Sequence, residues 1–355
     1  MKLCIITCYN QPDYIRARTL RTAAALIDEV EVVTVKNRHT GLLRYLEVLW
    51  KVLKTRLIER PDVYLLTFRG YEMLLPIRLL SVGKSLIYDE FINPIEWVSY
   101  EHKKLGKNNP LTWGLWLYYH VLLSWTSTIL ADTNSHADLS AEMMKIKRSK
   151  FVVLPVGTDE TTFTNKDKEL KNDVFTVFYY GNMLPLHGLS YVIDAAVRMS
   201  NDKVSFVLVG GNAKVANDVA CAVSNGANIE YQPWVVYEQL PQLMKRADLC
   251  LAGPFGDTFQ AQYVITGKAY QYLAMGRPTV VGVNKESGVF TDKKDALLVP
   301  QADTDALVRT IRWAMKNKEK LADIGMSGRK LYQSQLSVER ISEKLEPALR
   351  ALVRD

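Results

Sequence analysis

Residues 175–196 read FTVFYYGNMLPLHGLSYVIDAA. A run rich in aromatic and β-branched residues stops at Gly181. A tight loop with Pro185 and Gly188 follows, and then a helix with an apolar stripe. Strand, glycine-bearing turn and helix start, in that order, let backbone approach an anion and aim helix N–H groups at it. One such turn is common among α/β proteins, so the neighbouring segments decide whether it belongs to a larger pattern.

They repeat it. Downstream come VSFVLVGG (204–211), NIEYQPW (228–234), LCLAG (249–253) and PTVVG (278–282). Upstream come LCIITC (3–8), VEVVTV (30–35), DVYLLTF (62–68), SLIYD (85–89), TILAD (128–132) and FVVLP (151–155). Runs this apolar, separated by amphipathic helices, predict parallel strands buried on both faces. The pattern is α/β and doubly wound, and it occurs twice. The stretch 157–173, GTDETTFTNKDKELKND, is polar and predicts a linker. The expected organisation is a Rossmann-like domain over 1–158, a linker over 159–173 and a second Rossmann-like domain over 174–334. A helix over 335–355 is expected to pack back toward the first domain. Two such domains would face each other across a cleft, with ligands at the carboxyl ends of the strands.

Composition fits this reading. Of 355 residues 48% are hydrophobic and 23% charged, enough to build two cores. The four cysteines, Cys4, Cys8, Cys221 and Cys250, lack metal-ligand spacing with histidine, and a reduced, cytoplasmic protein is expected. The start, MKLCIITCYN, predicts a buried first strand and not a signal peptide. The formal net charge is +7, and residues 1–60 hold eleven Lys/Arg against six Asp/Glu. That bias suits a solvated surface or a phosphate-bearing partner. Only the charge favours nucleic acid, and no binding module supports it.

Two helices need a choice. Over 42–60, Leu42, Leu46, Leu49, Leu53 and Leu57 make one stripe, expected to pack into the first core; the alternative is a basic helix lying on an anionic membrane. Residues 111–131 carry no formal charge. They predict a buried helix followed by the strand TILAD and not a membrane span. Trp113, Trp116, Tyr118, Tyr119 and Trp125 could line an apolar groove or touch a membrane interface.

Four stretches, FYYGNMLPLHGLSYVIDAA, VSFVLVGG, RADLCLAG and GKAYQYLAMGRPTVVG, together resemble a GT-B glycosyltransferase. The family is the large retaining one that includes glycogen synthases and phosphatidylinositol mannosyltransferases. VVLPVGTDETTF is similar to its interdomain segment, and DALLVPQADTDAL to its next strand and helix cap. The likeness covers roughly residues 150–345 in motifs, and the first domain only in architecture. It implies a nucleotide-diphosphate sugar, UDP- or GDP-linked, held by the second domain, with a glycan or lipid-linked acceptor against the first. It implies retention and a role in cell-surface polysaccharide or glycoconjugate synthesis, with hexosyl or N-acetylhexosaminyl transfer (EC 2.4).

The family signature is two glutamates eight apart. Here their places hold Tyr263 and Gln271, and Asp257 is a candidate replacement. The family's diphosphate-binding arginine and lysine correspond to Asn182 and His187. A bacterial branch shares PLHG and a lysine matching Lys268, so phosphate binding would pass to Lys268, His187 and the helix N-terminus. Gln271 would hold ribose, Gly181, Gly188, Gly210 and Gly211 would admit the donor, and Trp234 or Tyr237 would contact the base. The family's first-domain histidine falls at Phe91, beside Glu90, which leaves Asp89 as the candidate polar group. The catalytic candidates are therefore Asp89, Lys268 and His187.

The acceptor candidates are Arg16, Arg18 and Arg21, near the start of the first helix. The leaving phosphate oxygen could take the acceptor's proton, and no metal or other cofactor is required. Asp303 and Asp305 in DTD are expected to cap a helix and not to bind metal. Peripheral contact with the inner face of an anionic membrane is a further expectation. The competing readings are a catalytically degenerate protein that binds a nucleotide sugar or a partner, and a GT-B-like epimerase.

Overall fold

A computed structural model of the chain describes residues 1–101, 106, 109–165, 173–182 and 184–353. It contains two compact units, Met1–Gly157 with Val338–Asp355, and Thr158–Ser337.

The first unit holds six strands: β1 (Lys2–Thr7), β2 (Glu31–Lys36), β3 (Val63–Leu66), β4 (Ser85–Asp89), β5 (Thr128–Ala131) and β6 (Phe151–Val153). Their order is β2-β1-β3-β4-β5-β6, and every pair is parallel. Alternation sends Cys4 and Ile6 to one face and Leu3 and Ile5 to the other. The helices Leu43–Ile58, Leu74–Leu80 and Pro110–Trp125 cover the first face through Val48, Val52, Leu74, Ile77, Tyr119 and Leu122. The helices Ile15–Ala25 and Val338–Ala351 cover the second face and pack on each other. Ile341, Leu345 and Leu349 bring the chain's last helix into this core.

The second unit repeats the plan with β7 (Phe175–Tyr180), β8 (Val204–Val209), β9 (Ile229–Gln232), β10 (Leu249–Gly253), β11 (Thr279–Val283) and β12 (Leu297–Pro300). The order is β12-β11-β10-β7-β8-β9, again all parallel. Asp303 caps the helix Thr304–Lys316 by accepting from the Ala306 N–H at 2.8 Å, the role its place before ALVRTIRWAM implies.

Three segments depart from expectation. Residues 158–165, read as polar linker, belong to the second unit: Phe163 is buried, and Glu160 Oε1 accepts from the Tyr332 hydroxyl at 2.7 Å. Residues 166–172 of that linker lie outside the described residues. Of the leucine stripe only Leu49 packs against the core, and it is half-buried. Leu46, Leu53 and Leu57 are exposed, and the buried contacts are made by Val48 and Val52. Leucine count pointed to one face, while the two β-branched residues that suit the tight sheet contact lie on the other. Residues 110–131 do split into a helix and β5. That helix exposes Leu111, Trp113, Leu117 and Trp125 although it carries no charge. Among the described residues no helix is long and apolar enough to cross a membrane.

Candidate functional site

In the second unit β7 pairs with β8 on one side and β10 on the other. The connections leave in opposite directions, so the carboxyl ends of β7 and β10 border the switch point where such sheets take ligands. Gly181 ends β7, and the loop beyond it is tightly seated. Gly188 has φ 65°, and a Cβ there would lie 2.4 Å from the Gly256 nitrogen. Gly210, at φ 105° after β8, approaches β7 so closely that a Cβ would stand 2.2 Å from the Gly181 oxygen. The Gly256 N–H donates to Leu186 O at 3.0 Å, and the Tyr179 hydroxyl donates to His187 O at 3.0 Å.

Into this turn reaches Lys268, from the first turn of the helix Gly267–Ala274. Thr266 precedes that helix but spends its hydroxyl on Ala252 O at 2.9 Å, so no side chain caps the helix N-terminus. Lys268 is only 4% exposed. Its Nζ lies 4.4 Å from the centre of the Tyr179 ring and 3.5 Å from the point where a Cβ on Gly181 would stand. His187 Nδ1 lies 3.4 Å from that same point. Among the described residues neither nitrogen has a hydrogen-bond partner. Burial alone brings the Lys268 ammonium down to about 7. Burial, with the Lys268 charge beside it, holds His187 well below its ordinary value, so the imidazole is neutral. The missing side chain of Gly181 thus leaves a space faced by two unsatisfied nitrogens and an uncapped helix start. That is the donor set of an anion site.

The other candidates of this unit are spread around those strand ends. Gln271 is buried, and its Oε1 accepts from the Tyr180 hydroxyl. Asn182 and Asp257 are exposed on the loops after β7 and β10. Gly211 follows β8 at φ 104°. Trp234, beyond β9, is 74% exposed. Tyr237 packs edge-on against Phe163 at 5.3 Å, and Tyr263 is buried against Phe259.

In the first unit the switch point lies between β1 and β3. Asp89 and Arg16 do not open onto it. Both are fully buried and pair with each other, Arg16 Nη2 to Asp89 Oδ1 at 2.9 Å. Arg16 Nη1 donates to the Leu154 and Pro155 carbonyls at 2.7 Å each, and the Phe68 N–H donates to Asp89 Oδ2 at 3.3 Å. This pair ties the helix Ile15–Ala25 to β4 and to the end of the β6 segment, so its charges are already spent on the fold. Arg18 is half-buried, and Arg21 donates to Asp13 Oδ1 at 2.6 Å. The three arginines therefore do not form one exposed cationic cluster.

What does gather at the ends of β1 and β3 escaped the sequence reading. Tyr9, Tyr14, Phe68 and Phe91 form a chain of ring contacts at 4.8–6.3 Å. Arg69 joins them with its guanidinium 5.6 Å from the Tyr9 ring and 5.7 Å from the Trp97 ring. Its backbone has φ 52°, a conformation non-glycine residues rarely adopt. The available signal was Arg69–Gly70 directly after DVYLLTF. Behind them, fully buried His136 donates through Nδ1 to Asp132 Oδ1 at 2.6 Å, and its Nε2 lies 4.0 Å from Glu90 Oε1. Burial opposes its charge, but Asp132 and Glu90 outweigh it and raise His136 to about 9. Among the described residues no group of three or more His, Cys, Asp or Glu side chains is placed to hold a metal ion.

Two six-stranded parallel sheets, each wound by helices on both faces, define the GT-B fold. Residues 174–317 match the model of a family described as glycosyl transferases group 1. Among solved structures the chain is similar to HepE (Alr3699) of Anabaena in complex with UDP and glucose. The TM-score is 0.72 at 14% identity, over 99% of this chain and 100% of that one. It is similar to sucrose-phosphate synthase of Thermosynechococcus elongatus, with TM-score 0.74 at 14% identity over 100% and 99% of the two chains. It is also similar to the lipopolysaccharide outer core galactosyltransferase WaaB, with TM-score 0.61 at 9% identity over 99% of both. No curated protein matches the chain by sequence.

Proposed function

We propose that this chain is a glycosyltransferase that moves a sugar from a nucleotide-diphosphate donor to a glycan or lipid-linked acceptor, with retention of anomeric configuration. The observation that carries the reading is Lys268, a buried ammonium with no hydrogen-bond partner among the described residues, facing the space beside Gly181 together with His187. A fold gains nothing by burying an unpaired cation; an anionic ligand supplies the missing partner.

Glycosyl transfer breaks the bond from the anomeric carbon to a phosphate oxygen, and negative charge builds on the leaving diphosphate. Lys268 becomes charged when the diphosphate arrives, because an adjacent anion favours the ammonium form. Together with the N–H groups of the uncapped helix it stabilises that charge, and loss of one such donor costs about 3–4 kcal/mol of transition-state stabilisation. Neutral His187 donates through one ring nitrogen. Gly181, Gly188, Gly210 and Gly211 admit the diphosphate, Gln271 and Asp257 bind donor hydroxyls, and Trp234 offers a ring to the base. Asn182 lies on the same loop as His187. The acceptor hydroxyl attacks from the leaving group's face and passes its proton to the departing phosphate oxygen. Asp89 and Arg16 hold the first unit together, and the acceptor binds the aromatic cluster with Arg69, with Arg18 and Arg21 outside it.

The match of residues 174–317 to glycosyl transferases group 1 supports this reading, and HepE, solved with UDP and UDP-glucose, supports a uridine donor. Transfer of a hexose or N-acetylhexosamine into a cell-surface polysaccharide or glycoconjugate is the proposed setting. Incubation with UDP- and GDP-sugars and short glycan acceptors, with the anomer assigned by proton coupling, tests the reaction. Donor binding without transfer or hydrolysis would favour a degenerate, nucleotide-sugar-binding protein, the reading suggested by Tyr263 and Gln271 where the resemblance expects glutamates. An inverted product would refute retention.

A further inference from the structure

The leucines that stay outside the first core form half of a larger surface. On the helix Leu43–Ile58 the exposed positions are Leu43, Leu46, Trp50, Leu53 and Leu57, spaced at three and four residues. On the helix Pro110–Trp125 they are Leu111, Trp113, Leu117, Tyr118, Val121 and Trp125. Both helices pack against Leu74–Leu80, whose Leu79 is also exposed, and all three cover the same face of the first sheet. The result is one apolar outer face built from three neighbouring helices. Soluble monomers rarely expose continuous apolar area beyond a few hundred Å² without a partner for it.

Charge selects the partner. Residues 36–84 contain ten Lys/Arg against four Asp/Glu, and the helix Pro110–Trp125 contains no charge. The one acidic residue of Leu43–Ile58, Glu47, is turned aside by the Arg38 and His39 N–H groups and by Lys51. Lys54 holds its ammonium 5.5 Å from the Trp50 ring, a cation placed beside an apolar wedge. A second copy of this chain would bring the same positive charge to the contact. Tryptophan and tyrosine on the apolar helix suit the boundary between acyl chains and headgroups.

We propose that this three-helix face seats the first unit on an anionic lipid bilayer, with the leucine and tryptophan side chains entering the headgroup boundary and the flanking Lys/Arg meeting lipid phosphates. The inference rests on the first unit's surface and stands apart from the donor reading at Lys268. The full chain is mixed with phosphatidylcholine vesicles with or without phosphatidylglycerol, and sedimentation and tryptophan fluorescence are followed. Binding is expected to require phosphatidylglycerol, to fall as salt rises, and to shift the fluorescence to the blue. Trp50→Ser with Leu46→Ser, and separately Leu117→Ser with Trp125→Ser, should each weaken vesicle binding roughly tenfold. Their thermal unfolding and UDP affinity should match the parent chain, which separates a lost docking face from a lost fold or donor site. Equal binding by parent and variants, or no binding to phosphatidylglycerol vesicles, would overturn the proposal. So would a dimer in light scattering that the same substitutions dissolve.

Discussion

Lys268 makes the donor reading quantitative. Burial lowers its ammonium to about 7 from an ordinary 10.5. A shift of that size is worth about 5 kcal/mol at about 1.4 kcal/mol per unit. The unfolded chain binds this proton up to its ordinary value, while the folded chain releases it near 7. Between those limits the unfolded state holds more protons, so folding stability rises with pH through that window. Below it the charged, buried ammonium imposes its full cost. Lys268→Met keeps the volume and removes the charge, so at pH 7 the variant should be more stable by up to about 4 kcal/mol. Ligand binding should move the other way. If only the ammonium form binds diphosphate, apparent Kd scales with the inverse of the protonated fraction. From pH 7.0 to pH 8.5 that fraction falls roughly fifteen-fold, and UDP or GDP should bind weaker by about that factor. Isothermal titration of parent and Lys268→Met across this range reads both effects. A parent Kd that is flat with pH, or a methionine variant that binds as the parent does, would refute the assignment of the anion site to Lys268.

Other outcomes follow from particular contacts. Asp89→Asn should destabilise the first unit by about 3–5 kcal/mol, because Arg16 is left charged and buried; denaturant melts of the single variant and of Arg16→Met with Asp89→Leu, which should recover much of the loss, check this. Gly188→Ala forces a side chain toward Phe255 and Gly256 at φ 65°, and should cost about 1–3 kcal/mol from the backbone alone and weaken UDP binding, measured by thermal shift and calorimetry. His136, raised to about 9, contributes stability that is complete below its ordinary 6.5 and lost as pH rises through 9. His136→Gln should abolish roughly 3 kcal/mol of that dependence in hydrogen exchange of the first unit. Arg69→Ala should raise the acceptor KM roughly tenfold or more, the scale of a charge-assisted hydrogen bond of about 1.5–3 kcal/mol, with donor Kd unchanged.

Much of the fold was legible because buried parallel strands are apolar on both faces. The eleven strand-like runs, and DALLVP as the twelfth, all coincide with strands, and FTVFYYG followed by PLHG coincides with β7 and the turn after it. The convergence of Lys268 and His187 was foreseen only through resemblance, since eighty intervening residues hide it from any local pattern. What stayed hidden depends on direction. Leu46, Leu53 and Leu57 look like core by hydrophobicity, and only packing reveals that Val48 and Val52 took that place. Arg16 looks like a surface cation until its partners Asp89, Leu154 and Pro155, all more than seventy residues away, are assembled around it. Arg69 is hidden for a third reason: its value lies in a positive φ and two flanking rings, neither of which is written in residue type.

The chain leaves the first unit at Gly157 and re-enters it at Val338. The second unit is therefore an insertion, and the first sheet must wait for its last helix. During synthesis β1 to β6 emerge early, yet the face lined by Leu3, Ile5 and Val63 is covered only by the helix Ile15–Ala25 until Ile341, Leu345 and Leu349 arrive. The second unit has all its strands by residue 300 and can close first. Chains truncated after residue 337 and released from the ribosome should then carry a protease-resistant second unit beside a protease-sensitive first one, the reverse of the usual N-terminal-first order.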